Sequence, residues 1–382
     1  MTGWLRDRRR HASQSTEPTI ALLKSPRYGP ARTTDLLPYR IDLLASSGFS
    51  LRWSDEQRSS RLDSLVRRLE GLTVPFSQAW RTRRLRRDAV ATIAMFESEA
   101  HGLALWRRIS RRWHPPLIVI ACWLTEVATQ SPLRQRLYRQ LYKAVDHVVV
   151  FSENQRDVLE ARLGIPCDRI TSVRFGVDLD ELAEIDVSDS SGTIVAVGRD
   201  LGRDWRTLAD AVRGTGWKVE LVTRAMQVEN IDLPAEIRHR HSLPRDQYLQ
   251  LLADATIVVV PTHVRAYPSG QTVLLEAMAL GKPCVVTDTP AMREYATDEV
   301  TALVVPPHDP PAVKRTIQRL LDEPLLRARL GSQAKSTEAE YGGAGVMWVE
   351  IARCVTSADA SECAVNPPLP DTDQARPANT DR

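Results

Sequence analysis

Long apolar runs and cysteines are scarce in this sequence of 382 residues. No run approaches the roughly 18–20 apolar residues that a membrane-spanning helix needs. The basic start at residues 6–10 is followed by His-Ala-Ser-Gln-Ser instead of the apolar core of a signal peptide. We therefore expect a cytoplasmic protein, and this expectation extends to a peripheral position on the inner face of the plasma membrane.

The five cysteines show neither of the patterns in which cysteine stabilises a small fold. Their number is odd, they are scattered along the chain, and no two have Cys-x-x-Cys spacing. The sequence therefore supports neither a disulfide framework nor a zinc site, and we expect reduced thiols.

Charge is unevenly distributed along the chain. Residues 1–150 contain 26 Lys and Arg against 13 Asp and Glu, whereas residues 151–382 contain 25 against 35. Arginine clusters at 81–87 and 107–112 favour either an anionic partner, such as a membrane surface or a phosphorylated acceptor, or ordinary solvated helix faces. Nucleic acid is not expected as a partner, because no recognition motif and no interleaved aromatic residues accompany the arginines.

Composition and hydrophobic pattern predict an α/β protein. A chain of 382 residues with 43% hydrophobic and 26% charged residues is typical of globular proteins and long enough for two domains. In the first half, apolar runs at 20–23, 89–96, 117–122 and 147–151 alternate with longer segments of helical pattern. This alternation is typical of β-α-β units and a parallel sheet.

The second half repeats the pattern with Val- and Ile-rich runs, which predict strands buried on both faces. These predicted strands are Thr193–Val197, Lys218–Val222, 256–260, Cys284–Thr287 and 302–305. Helical patterns follow at 311–322, 324–340 and 346–355, and the Pro/Asp/Asn-rich end predicts disorder.

The acidic, Ser-rich segment 180–192 is typical of an interdomain linker, so we predict two Rossmann-like domains that meet there. In chain order, the prediction is a polar leader at 1–16, an N-terminal Rossmann-like acceptor domain at 17–178, a C-terminal Rossmann-like donor domain at 179–340, a helix crossing back to the N-terminal domain at 341–356, and a disordered tail at 357–382.

The most informative segment is residues 267–283, which read Tyr-Pro-Ser-Gly-Gln-Thr-Val-Leu-Leu-Glu-Ala-Met-Ala-Leu-Gly-Lys-Pro. It lies between two predicted strands and predicts a glycine-containing loop that opens onto a helix. Backbone N–H groups and the positive dipole end at such a helix N-terminus suit a diphosphate. Glu276, one to two turns into the helix, would then be placed to reach a ribose.

This segment resembles the family 4 glycosyltransferases, whose C-terminal domain carries a Glu-x7-Glu loop and helix followed by Ala-Met-Ala-x-Gly-x-Pro. The matching segments occur in the family's order: Gly176-Val177-Asp178, Val197-Gly198-Arg199, Thr287-Asp288-Thr289-Pro290 with Glu294, Leu303 to Asp309, and Leu330-Gly331. The resemblance covers about residues 88–355 and implies a GT-B fold, in which two Rossmann-like domains face each other across a cleft. It also implies transfer from a nucleotide sugar with retention of configuration, without a cofactor or metal.

The resemblance assigns roles to individual residues. Glu276 matches the family's second glutamate, which binds the donor ribose. Arg199 and Arg203 resemble the arginine and lysine that hold the donor diphosphate, and the other reading of both is a surface ion pair with a neighbouring aspartate. The remaining predicted donor-binding residues, from the same loops, are Gly198, Ser269, Gly270, Gln271 and Thr272.

Two positions depart from the family pattern. The family's first glutamate, which binds the donor sugar, falls at Pro268, so Ser269, Gln271 and loop amides would have to replace it. The strand that ends in a histidine in the family ends here in Cys122-Trp123. His101 is the nearest alternative catalytic group, although a lone histidine in a loop is more often a surface residue.

Two further segments have weaker signals. The loop at 25–32, after the first predicted strand, lies where an acceptor or donor phosphate would bind, but it contains a single glycine. Asp178-Leu179-Asp180 superficially resembles a metal-chelating Asp-x-Asp, and its position in the Gly-Val-Asp turn predicts a helix cap instead.

The function that these observations imply is transfer of a hexose from a nucleotide sugar to a glycan or a lipid-linked acceptor. Cell-envelope, exopolysaccharide or glycolipid synthesis is the expected context, with the basic N-terminal half facing an anionic membrane surface. The alternative is a GT-B protein that binds sugar nucleotides without turnover, because Pro268 and Cys122 replace family residues.

Overall fold

The computed structural model describes residues 18–23, 38–53, 82–110, 114–188 and 192–356. The predicted leader at 1–16, the loop at 25–32 and the tail at 357–382 lie outside the described residues. Part of the predicted linker, residues 189–191, also lies outside them.

The N-terminal domain is built on a parallel sheet with strand order β2-β1-β3-β4-β5-β6 among the described residues. Its strands are β1 Thr19–Leu23, β2 Ser50–Trp53, β3 Ala91–Ala94, β4 Leu117–Ile120, β5 His147–Val150 and β6 Ile170–Ser172. The described helices of this domain are α1 Arg83–Arg87, α2 Glu97–Ile109, α3 Leu124–Thr129, α4 Pro132–Leu141 and α5 Glu153–Leu163.

The C-terminal domain has a second parallel sheet with strand order β12-β11-β10-β7-β8-β9. Its strands are β7 Thr193–Val197, β8 Lys218–Val222, β9 Ile237–Arg240, β10 Ile257–Val260, β11 Cys284–Thr287 and β12 Leu303–Val305. The helices from the domain junction onward are α6 Leu179–Ala183, α7 Trp205–Val212, α8 Arg245–Ala253, α9 Gln271–Ala279, α10 Pro310–Asp322, α11 Pro324–Tyr341 and α12 Gly343–Thr356. Counted from β7 this order is that of a dinucleotide-binding Rossmann sheet, so the predicted α/β class is confirmed.

The sequence analysis did not predict the strands β2, β6 and β9, and all three lie at a sheet edge. Within the described residues β2 and β9 each pair with a single neighbour, and most of their residues are partly or fully exposed. An edge strand that is not buried on both faces lacks a continuous apolar run, and this run was the signal that identified the central strands.

The junction between the two domains contains a short helix within the segment predicted as a linker. Asp178 is its N-cap, because its carboxylate accepts a hydrogen bond from the backbone N–H of Glu181 at 3.2 Å. The same carboxylate pairs with Arg40 of the N-terminal domain at 3.0 Å. The prediction that Asp178 caps a helix is therefore confirmed.

The last helix, α12, packs against the N-terminal domain. It contacts the 3₁₀ segment Pro38–Ser47, and Trp348 on it is 1% exposed. Its first turn is tied to the N-terminal domain by a hydrogen bond from the Ala344 N–H to the Val177 carbonyl at 2.8 Å. None of the helices in the described ranges is both long and apolar enough to cross a membrane.

Candidate donor-binding site

The strand order of the C-terminal sheet places a crevice between β7 and β10. From β7 the chain crosses through α7 to β8 on one side, whereas from β10 it crosses through α9 to β11 on the other. Ligands of open α/β sheets bind outside the carboxyl ends of the strands at such a reversal. The loops 198–204 and 261–270, which carry most of the predicted donor residues, flank this crevice.

Arg203 is the charged side chain at the centre of the crevice. It is 6% exposed, and within the described part of the chain its Nε and Nη1 have no hydrogen-bond partner. Its guanidinium lies against Gly198 and Gly270, where a Cβ atom at either glycine would collide with it. Burial lowers the pKa of Arg203, and the nearby Asp200 carboxylate opposes this shift. Because Arg203 is buried, it does not form the surface ion pair that the sequence left open for it.

The N-terminus of α9 lies beside this guanidinium. Gly270 is the N-cap with φ of 89°, a backbone conformation that favours glycine, and Gln271 and Thr272 begin the first turn. The first N–H groups of a helix lack intrahelical acceptors and carry the positive end of its dipole. A buried guanidinium next to this helix end is repelled by it, so the pair is suited to binding an anion.

Asp200 fixes the loop before α9. Its carboxylate accepts hydrogen bonds from the Tyr267 hydroxyl at 2.7 Å and from the Ser269 hydroxyl. Ser269 is 2% exposed, and its hydroxyl holds the loop through this bond to Asp200. Arg199, by contrast, is exposed at the end of β7.

Glu276 lies on α9 with its carboxylate buried, and two residues missed by the sequence analysis contact it. Its Oε1 accepts a hydrogen bond from Arg245 Nη1 at 2.5 Å, and its Oε2 accepts one from the Tyr248 hydroxyl. Burial raises the pKa of Glu276, and the bonds from Arg245 and Tyr248 lower it. Arg245 and Tyr248 are three residues apart on α8, and this spacing on one helix face was the available signal.

His101 lies in the N-terminal domain and packs against two tyrosine rings. Its ring packs on Tyr138 with centroids 4.8 Å apart and lies edge-on to Tyr142 at 6.2 Å. Burial lowers its pKa to about 4, so the imidazole is neutral near pH 7. The structure thus places His101 inside the N-terminal domain, and it is not the exposed loop residue that the sequence left as an alternative.

The N-terminal domain presents a buried glutamate at the carboxyl ends of β3 and β4. Glu97 accepts hydrogen bonds from the backbone N–H groups of Cys122 and Trp123, both at 3.1 Å. Trp123 is 38% exposed and stacks on Phe96 with ring centroids 5.6 Å apart. Glu97 therefore fixes the segment where the family's histidine would stand, and the sequence analysis did not foresee this role.

Contacts between the domains close one side of the cleft. The Arg265 guanidinium pairs with Glu126 of α3 at 3.2 Å, and the Asn154 side chain donates to the Ala266 carbonyl at 2.7 Å. Glu294 accepts hydrogen bonds from the Glu153 N–H at 2.9 and 3.1 Å. The loop before α9 is thereby held against the N-terminal domain.

A cavity of about 480 Å³ adjoins Arg203 on the α7 side of the sheet. Asp204, the N-cap of α7, pairs there with His308 at 2.8 Å and lies 3.7 Å from His263. These three groups are close enough to share a metal ion. However, Arg203 and Arg206 line the same cavity, and their charges oppose a divalent cation.

Two family models match the chain. The model described as glycosyl transferases group 1 matches residues 218–337, and the model described as glycosyltransferase family 4 matches residues 55–181. The first covers α9 and Glu276, and the second covers most of the N-terminal domain.

Curated relatives share parts of the sequence. A D-inositol 3-phosphate glycosyltransferase of Frankia alni is 33% identical over 31% of this chain and 27% of its own length. A D-inositol 3-phosphate glycosyltransferase of Xylanimonas cellulosilytica is 27% identical over 53% of this chain and 55% of its own. An alpha-D-kanosaminyltransferase of Streptomyces kanamyceticus is 35% identical over 20% of this chain and 19% of its own. The matched segments therefore span about a fifth to a half of these relatives.

Solved structures share the whole fold. Sucrose-phosphate synthase from Thermosynechococcus elongatus superimposes with a TM-score of 0.68 at 15% identity, covering 89% of this chain and 98% of that one. Anabaena HepE, solved with UDP and glucose, gives a TM-score of 0.66 at 14% identity, covering 89% and 99%. Two Rossmann-like domains that face each other across a cleft define the GT-B class. One family model matches each domain, so the C-terminal half of the chain is similar to the group 1 glycosyltransferases and the N-terminal half to the family 4 glycosyltransferases.

Proposed function

We propose that this protein transfers a sugar from a nucleoside-diphosphate sugar to an acceptor. The observation that carries the proposal is Arg203, a buried guanidinium beside the N-terminus of α9 whose Nε and Nη1 have no hydrogen-bond partner among the described residues. A buried charge without hydrogen-bond partners is costly, and a diphosphate would supply both partners and charge. Anabaena HepE was solved with UDP and with UDP-glucose, which supports a nucleotide sugar as the ligand of this fold.

In the proposed reaction the bond between the anomeric carbon and the β-phosphate oxygen breaks, and the nucleoside diphosphate leaves. Arg203, Arg199 and the first amides of α9 stabilise the charge that develops on this leaving group. These cationic groups take the role that a metal has in other transferases, so we propose that no metal is needed. The acceptor hydroxyl attacks the same face of the sugar, with retention of configuration, and its proton passes to the departing diphosphate.

The donor sugar is proposed to be a hexose bound at the loop before α9. Pro268 offers no carboxylate, and the Ser269 hydroxyl is committed to Asp200. Gln271 and the loop amides are left to bind the sugar hydroxyls. Glu276, one turn further along α9, is proposed to bind the ribose.

The acceptor is proposed to bind on the N-terminal domain, which carries the excess of basic residues. The names of the curated relatives make D-inositol 3-phosphate the first acceptor to test. A glycan or lipid-linked acceptor at an anionic membrane surface, in cell-envelope, exopolysaccharide or glycolipid synthesis, is the wider proposal. Co-sedimentation with anionic vesicles that is independent of lipid charge and of salt would contradict the membrane part.

Calorimetric titration with UDP, GDP, ADP and TDP tests the donor assignment, followed by a transfer assay that detects released nucleoside diphosphate. We expect one nucleotide to bind, and we expect Glu276→Ala to weaken it at least about tenfold, equivalent to about 1.4 kcal/mol. The exposed Glu229→Ala is the matched control. Binding without release of nucleoside diphosphate from any sugar nucleotide would indicate a non-catalytic binder, and unchanged affinity in Glu276→Ala would contradict the ribose assignment.

Turnover with excess EDTA and NMR of the product anomer test the other two parts of the mechanism. The proposal expects full activity in EDTA and a product with the anomeric configuration of the donor. Loss of activity on chelation, or inversion, would contradict the corresponding part.

A further inference from the structure

The carboxylate proposed to bind the ribose is fully engaged in this structure. The Glu276 side chain is 3% exposed, and Arg245 and Tyr248 each hold one of its oxygens. Because these two side chains leave the carboxylate only 3% exposed, a ribose that approaches from the crevice reaches its oxygens only if one of the two moves aside. The choice between the two is decided by their surroundings.

Tyr248 is the fixed partner. Burial and the Glu276 charge raise the pKa of its hydroxyl, so it remains protonated and donates to Glu276. A carboxylate has about four lone-pair sites, so it can accept the Tyr248 hydroxyl and two ribose hydroxyls together. Tyr248 therefore need not move.

Arg245 has a second carboxylate available. Its Nη2 lies 2.6 Å from Glu181 Oε2, and its Nε donates to Glu181 Oε1 at 3.2 Å. The side chains of Arg245 and Glu181 are 37% and 36% exposed, so the guanidinium can turn without opening the core. Loss of the bond to Glu276 would leave it held by Glu181 through two bonds, a geometry that arginine and carboxylate favour.

The exchange conserves the hydrogen bonds to Glu276, and the Arg245 charge remains nearby on Glu181, since the neutral ribose hydroxyls supply no charge. Arg245 compensates a buried carboxylate that would otherwise be unpaired, which is strongly unfavourable. Two ribose hydroxyls can replace it as donors to Glu276. We propose that Arg245 is the counter-ion of Glu276 and that its guanidinium moves entirely to Glu181 when a nucleoside diphosphate binds, an inference that rests on the proposed function.

Glu181 makes this proposal testable, because it belongs to α6 and not to the donor loops. If Glu181 receives the guanidinium, Glu181→Gln removes its charged destination and weakens nucleotide binding. We expect a three- to tenfold increase in Kd for whichever of UDP, GDP or ADP binds the wild type, measured by calorimetry on the full chain. Glu184→Gln, at the C-terminal end of the same helix, makes the same charge change at an exposed position and is expected to alter Kd less than twofold.

The 2′,3′-dideoxy form of the same nucleoside diphosphate separates exchange from a general structural effect. Without the diol it cannot displace Arg245, so we expect Glu181→Gln and wild type to bind it equally. An equal loss of affinity for the ribo and dideoxy forms would show that Glu181 acts through folding alone and would overturn the inference. Equal affinity of Glu181→Gln and Glu184→Gln for the ribonucleotide would overturn it as well, whereas failure of the wild type to bind any nucleotide would overturn the proposed function first.

Discussion

The guanidinium of Arg203 lies against Gly270 in the space that any side chain at position 270 would occupy. Arg203 comes from the loop after β7, and Gly270 is the N-cap of α9 after β10. The contact therefore joins the two loops that flank the crevice. The Arg203 guanidinium can lie here only because residue 270 has no side chain.

Gly270→Ala is expected to displace the Arg203 guanidinium and to reduce nucleotide affinity at least about tenfold. The substitution also strains the backbone, since φ is 89° there, at a cost of about 1–2 kcal/mol. Gly216→Ala is the matched control, because Gly216 has φ of 72° but open space around it. Gly270→Ala should lose more stability in a thermal melt, because its Cβ also meets Val260 Cγ1 at 2.7 Å, and only Gly270→Ala should lose affinity. A similar loss of affinity in both would refute the steric argument.

Arg203→Met should separate stability from function. Removal of a buried guanidinium with unpaired nitrogens is expected to leave the ligand-free protein as stable as wild type or more stable by about 1–3 kcal/mol. Affinity for nucleoside diphosphate should fall more than about tenfold in the same variant. Urea unfolding and calorimetry measure the two effects, with the exposed Arg315→Met on α10 as control. A destabilised variant that keeps its affinity would reverse this assignment.

Glu294 predicts a pH dependence of stability. Burial raises the pKa of this carboxyl to about 7, while the N–H groups of Glu153 and Asn154 oppose the shift. A carboxyl with a raised pKa in the folded state stabilises that state when protonated, and the contribution is lost as pH rises through the folded pKa. Relative to Glu294→Gln, the wild type should therefore lose stability between about pH 5 and pH 8. Parallel unfolding curves for the two proteins over this range would contradict the prediction.

Gly331 sets the approach of α11 to the turn after α9. A Cβ atom at this position would collide with the carbonyl oxygen of Gly281, and neither backbone segment can turn aside as a side chain could. Gly331→Ala is therefore expected to lower the free energy of unfolding by about 1–3 kcal/mol. Gly345→Ala, on α12 with open space around it, should raise it by about 0.5–1 kcal/mol instead. Urea unfolding of both variants measures these changes. If Gly331→Ala unfolds with the same free energy as the wild type, α11 can move away from Gly281.

The sequence predicted the central strands because burial on both faces leaves long runs of Val and Ile, as in Cys284–Thr287. It also predicted the three C-terminal helices, found at Pro310–Asp322, Pro324–Tyr341 and Gly343–Thr356. The edge strands Ser50–Trp53 and Ile237–Arg240 were missed because one-sided pairing and exposure leave no such run. The hydrophobic pattern of a segment reflects its burial, so it predicts an element least well where that element is partly exposed.

The sequence by itself determined the two-domain α/β fold, the loop and helix around Gly270, and the candidate role of Glu276. Tertiary structure alone decided that Arg203 is buried, that Arg245 and Tyr248 occupy Glu276, and that His101 packs between tyrosine rings. The physical reason is the range of the interactions. Hydrophobic periodicity and turn chemistry act between residues close in sequence, whereas the pairing of charges depends on strand order, which brings residues 31 positions apart into one ion pair.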